Sequence, residues 1–270
     1  MSDPLRFMTF NIRHGRALDG ANRWYMRRDM VFEAIRKWSP HVLGLQEAHH
    51  FQLEELMPEF PGMALLSGRR YGGPRGTHAA ILFDTDRLEA CQSGDFWLSP
   101  EPDGERMRAW DAAMPRVCNW AVFADRSMDR ARFAVYNTHF DHVGAEARLE
   151  SARLVVSRIA DHSHMPCLVL GDLNVSERRD PLRVFFDAGF RDSFRVLYPD
   201  EEAFTFHGFR GKGIKRLGKI DYILCDDRWK VITASVIKDG KQGRFPSDHF
   251  PVAAELAMGP EPAFGSLTRR

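Results

Sequence analysis

The sequence predicts an α/β fold in which β-sheets pack together and helices lie outside them. Short apolar runs rich in β-branched or aromatic residues recur along the chain, and each is bounded by Gly, Pro, Asn or Asp, as buried strands are. Two longer segments have the periodicity of amphipathic helices. Strands outnumber helices and do not alternate strictly with them, which favours packed sheets with external helices.

Nine apolar runs of four to eight residues are predicted to be strands. They are 5–10, 42–45, 79–83, 118–123, 133–137, 167–170, 220–225, 229–236 and 252–256. The two clear helices are predicted at 26–38, which stops before Ser39-Pro40, and at 146–163. Shorter helices are predicted at 50–57 and 181–188.

The chain of 270 residues is predicted to form a single domain over residues 1–258, followed by a flexible tail at 259–270. The long loops at 65–77 and 99–114 interrupt patterned segments without separating domains. Four scattered cysteines have no metal-like spacing and are expected to be buried and structural. No secretory leader or membrane-spanning run is recognisable, so a cytoplasmic location is expected.

Polar side chains follow or begin the predicted strands at six places. A lone Asn, Asp or His at such a point is more often a turn former or a structural residue, and Gly-Asp-Leu-Asn or Ser-Asp-His alone would be ambiguous. The joint occurrence of compatible chemistry at six strand ends favours one functional site. Its candidate residues are Asn11, Glu47, His139, Asp172, Asn174, Asp221, Asp248 and His249.

These side chains are mostly hard oxygen donors. Such a cluster is costly to bury unless it binds a cation or pairs internally. Oxygen ligands with few histidines and no cysteine select Mg²⁺ or Mn²⁺ over zinc. The sequence therefore predicts a divalent-metal site at the ends of several strands.

Six motifs, in the same order along the chain, resemble those of the endonuclease/exonuclease/phosphatase superfamily. The sequence is most similar to a generic bacterial branch of that superfamily. They span residues 9 to 249 and are Thr9-Phe10-Asn11-Ile12, Leu45-Gln46-Glu47, Asn137-Thr138-His139-Phe140-Asp141-His142, Gly171-Asp172-Leu173-Asn174, Lys219-Ile220-Asp221-Tyr222-Ile223 and Ser247-Asp248-His249. The resemblance implies a four-layer α/β sandwich, with two mixed β-sheets packed face to face and helices outside.

The resemblance also implies a role for each candidate residue. Glu47 is the principal metal ligand, helped by Asn11, Asp248 and Asp172. Asp172 orients or deprotonates the attacking water, and Asn174 holds the phosphate or a second metal. His249, polarised by Asp221, contacts the scissile phosphate.

His139 is expected to stabilise developing charge or to assist the leaving group. Related sequences often carry an acidic residue that supports this histidine just before the strand at 79–83. Here that stretch reads Gly76-Thr77-His78-Ala79 and has no carboxylate. Either another group such as Asp141 supports His139, or the site is tuned differently.

Several basic and aromatic residues are candidates for substrate contact. Arg116 precedes a strand, and Arg148 lies on the helix that follows the His139 loop. The segment 205–216 is too polar and Gly-rich for the core and is predicted to be a loop, either solvated or offering cations for further phosphates. The loop cations are Arg210, Lys212, Lys215 and Arg216. The aromatic candidates, which core burial would explain equally simply, are Trp24, Tyr25 and Trp110.

The formal net charge of +1 argues against a broad binding surface for duplex DNA. The predicted function is metal-dependent hydrolysis of phosphate esters, as a phosphodiesterase acting on a nucleotide, an end of a single-stranded nucleic acid, or a sugar or lipid-headgroup phosphodiester. Phosphomonoesterase activity is one alternative. A catalytically silent binding module on the same fold is the alternative of another class.

Overall fold

A computed structural model describes residues 3–68, 76–214 and 217–259 of the chain. Within these ranges, twelve strands form two six-stranded sheets. Residues 260–270 of the predicted tail lie outside the described residues, as do Lys215 and Arg216.

Both sheets are mixed, because each contains one parallel pair among antiparallel ones. Across the first sheet the strands are β11 (Trp229–Val236), β12 (Val252–Met258), β1 (Leu5–Asn11), β2 (Val42–His49), β4 (Thr77–Asp84) and β3 (Met63–Leu66). Across the second sheet they are β5 (Leu88–Trp97), β6 (Val117–Asp125), β7 (Ala131–His139), β8 (Cys167–Asp172), β10 (Asp221–Cys225) and β9 (Arg191–Asp192). The parallel pairs are β1–β2 and β7–β8.

Each parallel pair is connected by a long helix, because parallel neighbours need a crossover. Helix α1 (Trp24–Trp38) joins β1 to β2, and α3 (Ala145–Ile159) joins β7 to β8. Helices α1 and α2 (His50–Leu56) pack on the outer face of the first sheet. Helices α3 and α4 (Asp180–Asp187) pack on the outer face of the second, and a short α5 (Ser193–Leu197) follows β9. The predicted four-layer sandwich is confirmed.

The central core lies between the two sheets and follows the alternation of side chains along each strand. In β1, Leu5 and Phe7 point into this core, whereas Met8 and Phe10 pack under α1. Each fully buried aliphatic or aromatic side chain contributes about 1.5–3 kcal/mol relative to exposure. Stability is therefore spread over both faces of both sheets.

A polar bridge crosses the core beneath one end of the sandwich. Asn137 of β7 donates from Nδ2 to the carbonyl oxygens of Leu45 (3.1 Å) and Ala80 (2.7 Å) in the first sheet. Gln46 donates from Nε2 to Asn137 Oδ1 at 2.7 Å. Gly44 makes this approach possible, because a Cβ there would lie 2.7 Å from Asn137 Oδ1. The bridge fixes the two sheets relative to each other next to the candidate site.

All nine predicted strands are present, and β2 extends to His49 rather than ending at residue 45. The predicted helix 146–163 ends earlier, at Ile159, and continues as a short 3₁₀ turn. The cysteines are unpaired, and burial raises the pKa of Cys167 and of Cys225 to about 12, in keeping with structural thiols. In the ranges described, every helix is too short or too polar to cross a membrane.

Candidate active site

The strand order brings the predicted residues to one end of the sandwich. Because β1 and β2 are parallel, Asn11 and Glu47 leave the first sheet at the same edge. His139 and Asp172 do so in the second sheet, where they are register partners at the ends of β7 and β8. Strand β10 is antiparallel to β8, so its first residue, Asp221, pairs with Asp172.

The side chains also point into the space between the sheets. Asn11 continues the inward alternation of Leu5 and Phe7, and His139 continues that of Phe133 and Val135. Both lie at the edge of the central core, with 1% and 4% of their surfaces exposed. The site is thus the polar end of the inter-sheet core.

Asn11 connects carboxylates from the two sheets. Its Nδ2 donates to Glu47 Oε1 at 3.2 Å and to Asp172 Oδ2 at 3.0 Å, while its Oδ1 accepts from the backbone N–H of Arg13. In this geometry Asn11 orients the carboxylates through its amide donor.

Glu47 lies at a bulge in β2 and has a φ of 60°, which is uncommon for a residue with a side chain. Its Oε2 accepts from the backbone N–H of His14 at 3.0 Å. Burial would raise the pKa of Glu47, but this hydrogen bond and the nearby charges of His249 and Arg13 lower it below its ordinary value. Glu47 is therefore an ionised carboxylate.

Asp172 lies at the centre of the site. Its Oδ1 accepts from the backbone N–H of Asn174 at 3.0 Å, and its Oδ2 lies 3.4 Å from His139 Nε2 and 3.7 Å from His249 Nε2. Burial and the charge of Asp221 raise the pKa of Asp172 to about 7. A carboxylate with this pKa can accept a proton near neutral pH.

Asp221 and His249 form a buried ion pair. His249 Nδ1 lies 2.9 Å from Asp221 Oδ2. Burial opposes the imidazolium, but the charges of Asp221 and Asp172 outweigh it and raise the pKa of His249 well above its ordinary value. His249 is therefore a protonated imidazolium, and its Nε2–H is available to donate.

His139 has the opposite charge state. Burial first, then the charges of Arg116, His249 and His142, lower its pKa well below the ordinary value. Asn174 Nδ2 donates to Phe140 O at 3.0 Å, which fixes the orientation of the amide, and lies 2.9 Å from His139 Nε2. His139 is thus neutral and accepts at Nε2.

Asp248 completes the acidic side of the site. Burial raises its pKa, with the charge of His249 opposing. Arg13 Nε lies 3.6 Å from Asp248 Oδ2 and binds Asp19 Oδ2 at 3.0 Å. Sequence reasoning missed Arg13 and Asp19, because nothing in the motif Asn11-Ile12 indicates which charges surround it.

The donor set fits a hard divalent cation. Asn11 Nδ2 binds both Glu47 and Asp172, while burial and the nearby charge of Glu47 raise the pKa of Asp248. Asp172, Asp221 and His249 also place ligand atoms within 4.8 Å of one another. Asp221 and His249 already pair with each other, so Asp172 is the member of this trio that also shares Asn11 Nδ2 with Glu47.

Arg116 and Arg148 both hold the loop after His139. Arg116 is 4% exposed, with Nε 3.5 Å from Asp141 Oδ2 and Nη2 3.0 Å from His142 Nδ1. Arg148 Nη1 donates to the Asp141 carbonyl at 2.9 Å, and Asp141 Oδ1 accepts from the backbone N–H of Gly144. Direct contact of either arginine with substrate stays a prediction, as does the support of His139 by Asp141.

One expectation about the loop at 205–216 was wrong. Thr205 and His207 are fully buried, although the segment reads as too polar for the core. Thr205 Oγ1 accepts from the backbone N–H groups of Ile220 and Asp221, and the His207 ring stacks on Phe250 at 3.9 Å. Tertiary hydrogen bonds satisfy Thr205 Oγ1, and His207 Nδ1 accepts from the backbone N–H of Gly211 at 3.2 Å, contacts that local composition does not reveal.

The three tryptophan and tyrosine candidates have different environments. Trp24 is 3% exposed and belongs to the core under α1, with its Nε1 donating to Glu55. Tyr25 is 60% exposed, and Trp110 is half-buried with a φ of 52°. Trp24 is therefore a core residue. Of the three candidates, Tyr25 is the one whose ring is exposed to solvent.

Known proteins are similar to this chain in fold or in sequence. A structure of an endonuclease/exonuclease/phosphatase from Bacteroides vulgatus is 30% identical, with a TM-score of 0.87, covering 95% of this chain and 100% of that chain. A mannosyl-6-phosphatase from Bacteroides thetaiotaomicron is 29% identical, with a TM-score of 0.85 and coverage of 94% and 100%. An uncharacterised protein of Acanthamoeba polyphaga mimivirus is 23% identical over 166 residues, 58% of this chain, which spans 61% of the length of that relative.

The profile of the Endonuclease/Exonuclease/phosphatase family matches residues 8–249, from β1 to the active-site histidine. Members of this family are typically metal-dependent phosphoesterases. The converging carboxylates, the Asp–His pair and all strands except β12 and the start of β1 lie within the matched region. The chain belongs to the endonuclease/exonuclease/phosphatase family.

Proposed function

We propose that the chain is a Mg²⁺- or Mn²⁺-dependent phosphodiesterase that acts on a small or single-stranded substrate. The observation that carries the proposal is the geometry around Asp172. Its Oδ2 accepts from Asn11 Nδ2 at 3.0 Å and lies 3.7 Å from Nε2 of His249, whose Nδ1 lies 2.9 Å from Asp221 Oδ2. Hydrolysis of a phosphate ester uses a base for the attacking water and positive charge near the phosphoryl oxygens, and this cluster offers both.

The cation would be held by Glu47, Asp248 and Asp172, with Asn11 orienting the carboxylates. When bound, a divalent ion supplies positive charge to the phosphoryl oxygens. Oxygen donors favour Mg²⁺ or Mn²⁺.

The protein groups act around this ion. Asp172 accepts the proton of the attacking water, and His249 donates a hydrogen bond from Nε2 to a phosphoryl oxygen. Neutral His139 accepts from Asn174 Nδ2 and so fixes the side-chain amide of Asn174. Asn174 lies next to Asp172, a position that suits contact with the phosphate. His139 itself contributes a hydrogen bond rather than a positive charge.

The substrate class follows from charge. A net charge of +1 disfavours a long duplex, whereas local cations suit a nucleotide, an oligonucleotide end, or a sugar or lipid-headgroup phosphodiester. Arg210 and Lys212 of the 205–214 segment, with Arg116 and Arg148, are the candidates for further anionic contacts. A cytoplasmic location remains part of the proposal.

Phosphomonoesterase activity is the second candidate. The similarity to a mannosyl-6-phosphatase over 94% of the chain favours it. A silent binding module is the rival of another class, and the retained set of Glu47, Asp172, Asn174 and His249 argues against it because binding alone needs none of their charge states.

Two synthetic esters separate these functions. Turnover of bis(p-nitrophenyl) phosphate above that of p-nitrophenyl phosphate, with Mg²⁺ or Mn²⁺ and abolished by EDTA, is expected for the diesterase. The reverse preference would identify the monoesterase. Metal-dependent turnover of neither would contradict the enzymatic proposal and favour the binding module.

Asp172→Ala and His249→Ala are expected to lower kcat by about 10²–10⁴-fold, because each removes one proton-transfer group. Circular dichroism and thermal melting would verify that the variants fold. Asp187→Ala and His164→Ala are matched controls at exposed positions and should keep wild-type turnover. Activity within threefold of wild type in both active-site variants would exclude the assigned roles.

A further inference from the structure

Arg27 of α1 is a buried cation that donates to backbone carbonyl oxygens in three segments. It is 1% exposed. Its Nη1 donates to Ile12 O at 2.7 Å and to Pro246 O at 2.8 Å, its Nη2 to Arg13 O at 2.8 Å, and its Nε to Asn22 O at 2.9 Å. These bonds employ the fork geometry of the guanidinium, with donors pointing in several fixed directions.

Two of the joined segments carry site residues. Ile12 directly follows Asn11, and Pro246 comes two residues before Asp248. A second bond joins the same segments, because Ser247 Oγ donates to Asn11 O at 2.6 Å. The ends of β1 and of the 246–248 segment are therefore held together at one guanidinium and one hydroxyl.

Two aromatic rings cover the guanidinium. Its Cζ lies 5.3 Å from the ring centroid of Trp24 and 5.6 Å from that of Phe209. Phe209 has a φ of 62° and follows Gly208, whose φ is 57°, in a turn closed by the hydrogen bond from Arg210 N to His207 O. A bulky residue rarely adopts this conformation, so the ring is held over Arg27 against its backbone preference.

A buried charge without a partner carboxylate is normally unfavourable. Over the residues that the structure describes, Arg27 makes no ion pair within 4.0 Å. Burial lowers its pKa to about 10, with the charges of Asp248 and Asp19 opposing, so it remains a cation at neutral pH. An apolar residue could fill this buried position at a lower cost in desolvation free energy. The presence of Arg27 therefore indicates that the hydrogen bonds of its guanidinium are needed.

We propose that Arg27 is a positioning residue of the metal site, holding the segment that carries Asn11 against the segment that carries Asp248. This inference rests on the metal site of the proposed function. Groups behind metal ligands commonly set metal affinity, and their loss costs about 10–100-fold. Arg27 acts through the backbone and touches neither the ion nor the substrate.

Arg27→Lys tests the role of the fork, because lysine keeps the charge but donates from a single point. We expect the dissociation constant for Mg²⁺, measured by isothermal titration calorimetry on the full chain, to rise about 10–100-fold. At saturating Mg²⁺, kcat should fall with little change in KM. Arg28→Lys is the matched control, because Arg28 is an exposed neighbour that pairs with Glu55.

A folded Arg27→Lys variant with wild-type Mg²⁺ affinity would overturn the inference. If that variant does not fold, Ser247→Ala decides, since it removes the second bond between the same segments, together with the bonds of Ser247 Oγ to Asp248 Oδ1 and to the backbone N–H of His249. A wild-type affinity in Ser247→Ala would then overturn the inference, and a weakened affinity would support it. Absence of Mg²⁺ and Mn²⁺ binding by the wild-type chain would contradict the proposed metal site itself, and this inference with it.

Discussion

His139 and His249 lie 3.4 Å and 3.7 Å from the same Asp172 oxygen, yet their charge states differ. The difference comes from the neighbours beyond Asp172. His249 binds a second carboxylate, that of Asp221, whereas His139 lies near the cation of Arg116. Two histidines next to the same carboxylate therefore differ in charge: His139 is a neutral acceptor, and His249 is a protonated donor.

Asp221→Asn should convert this difference into a pH effect. In the wild type, Asp221 raises the pKa of His249, so the imidazolium persists as the pH rises above 6.5. The amide removes that charge, so burial is opposed only by Asp172 and Asp248, the pKa of His249 should fall, and activity should be lost at a lower pH than in the wild type. We expect kcat/KM to fall by about 10²-fold or more at pH 8 and by less at pH 5.5.

The full pH profile of kcat/KM is the measurement for this variant. Asp227→Asn is the matched control, because Asp227 is exposed near the other end of β10. A uniform loss at all pH values, without a shift of the alkaline limb, would argue that Asp221 only orients the imidazole.

At the residue scale, sequence motifs predicted the polar side chains that converge at the candidate site. They did not predict the side chains that hold those residues in position. Asn11, His139 and Asp172 each lie an even number of residues after inward-pointing apolar side chains of their strands. The alternation along each strand therefore predicts that all three point between the sheets. Arg13, Arg27 and the Gln46–Asn137 bridge depend on contacts between segments distant in sequence. No local signal specifies such contacts.

At the element scale, the three strands that sequence analysis missed are all at sheet edges. These are β3, β5 and β9. An edge strand needs fewer apolar residues, and β5, which reads LEACQSGDFW, is buried only near its ends and has two exposed residues just before its glycine. The central strands were predicted because both of their faces are covered.

The polar bridge between the sheets makes β2 intolerant of a side chain at Gly44. A methyl group there would lie 2.7 Å from Asn137 Oδ1, which cannot retreat because Gln46 and two carbonyls hold it. Gly44→Ala should therefore lower the free energy of unfolding by about 1–3 kcal/mol.

Urea denaturation followed by tryptophan fluorescence would measure that loss. Gly62→Ala is the control, because a Cβ at Gly62 meets nothing within 4 Å and its φ is not positive. That variant should be neutral or more stable by up to about 1 kcal/mol. Equal effects of the two substitutions would contradict a role for close packing at Gly44.

At the scale of the whole molecule, the two sheets present equivalent ends to one site. Each contributes the carboxyl ends of a parallel pair, so Glu47 comes from the first sheet and Asp172 from the second. The site forms where the two sheets meet, a pairing of layers that the family resemblance predicted and composition alone did not. A cation at this place would join the layers.

Metal binding should therefore raise the melting temperature of the whole chain. At an Mg²⁺ concentration about 100 times the dissociation constant, the native state gains about 2.7 kcal/mol, or about 5 °C for a chain of this size. Glu47→Gln keeps the shape of the side chain but removes the principal ligand charge, so its melting temperature should respond little to Mg²⁺. Glu33→Gln, at an exposed position on α1, should retain the full wild-type shift. Equal shifts in all three proteins would mean that Mg²⁺ stabilises the chain somewhere other than between the sheets.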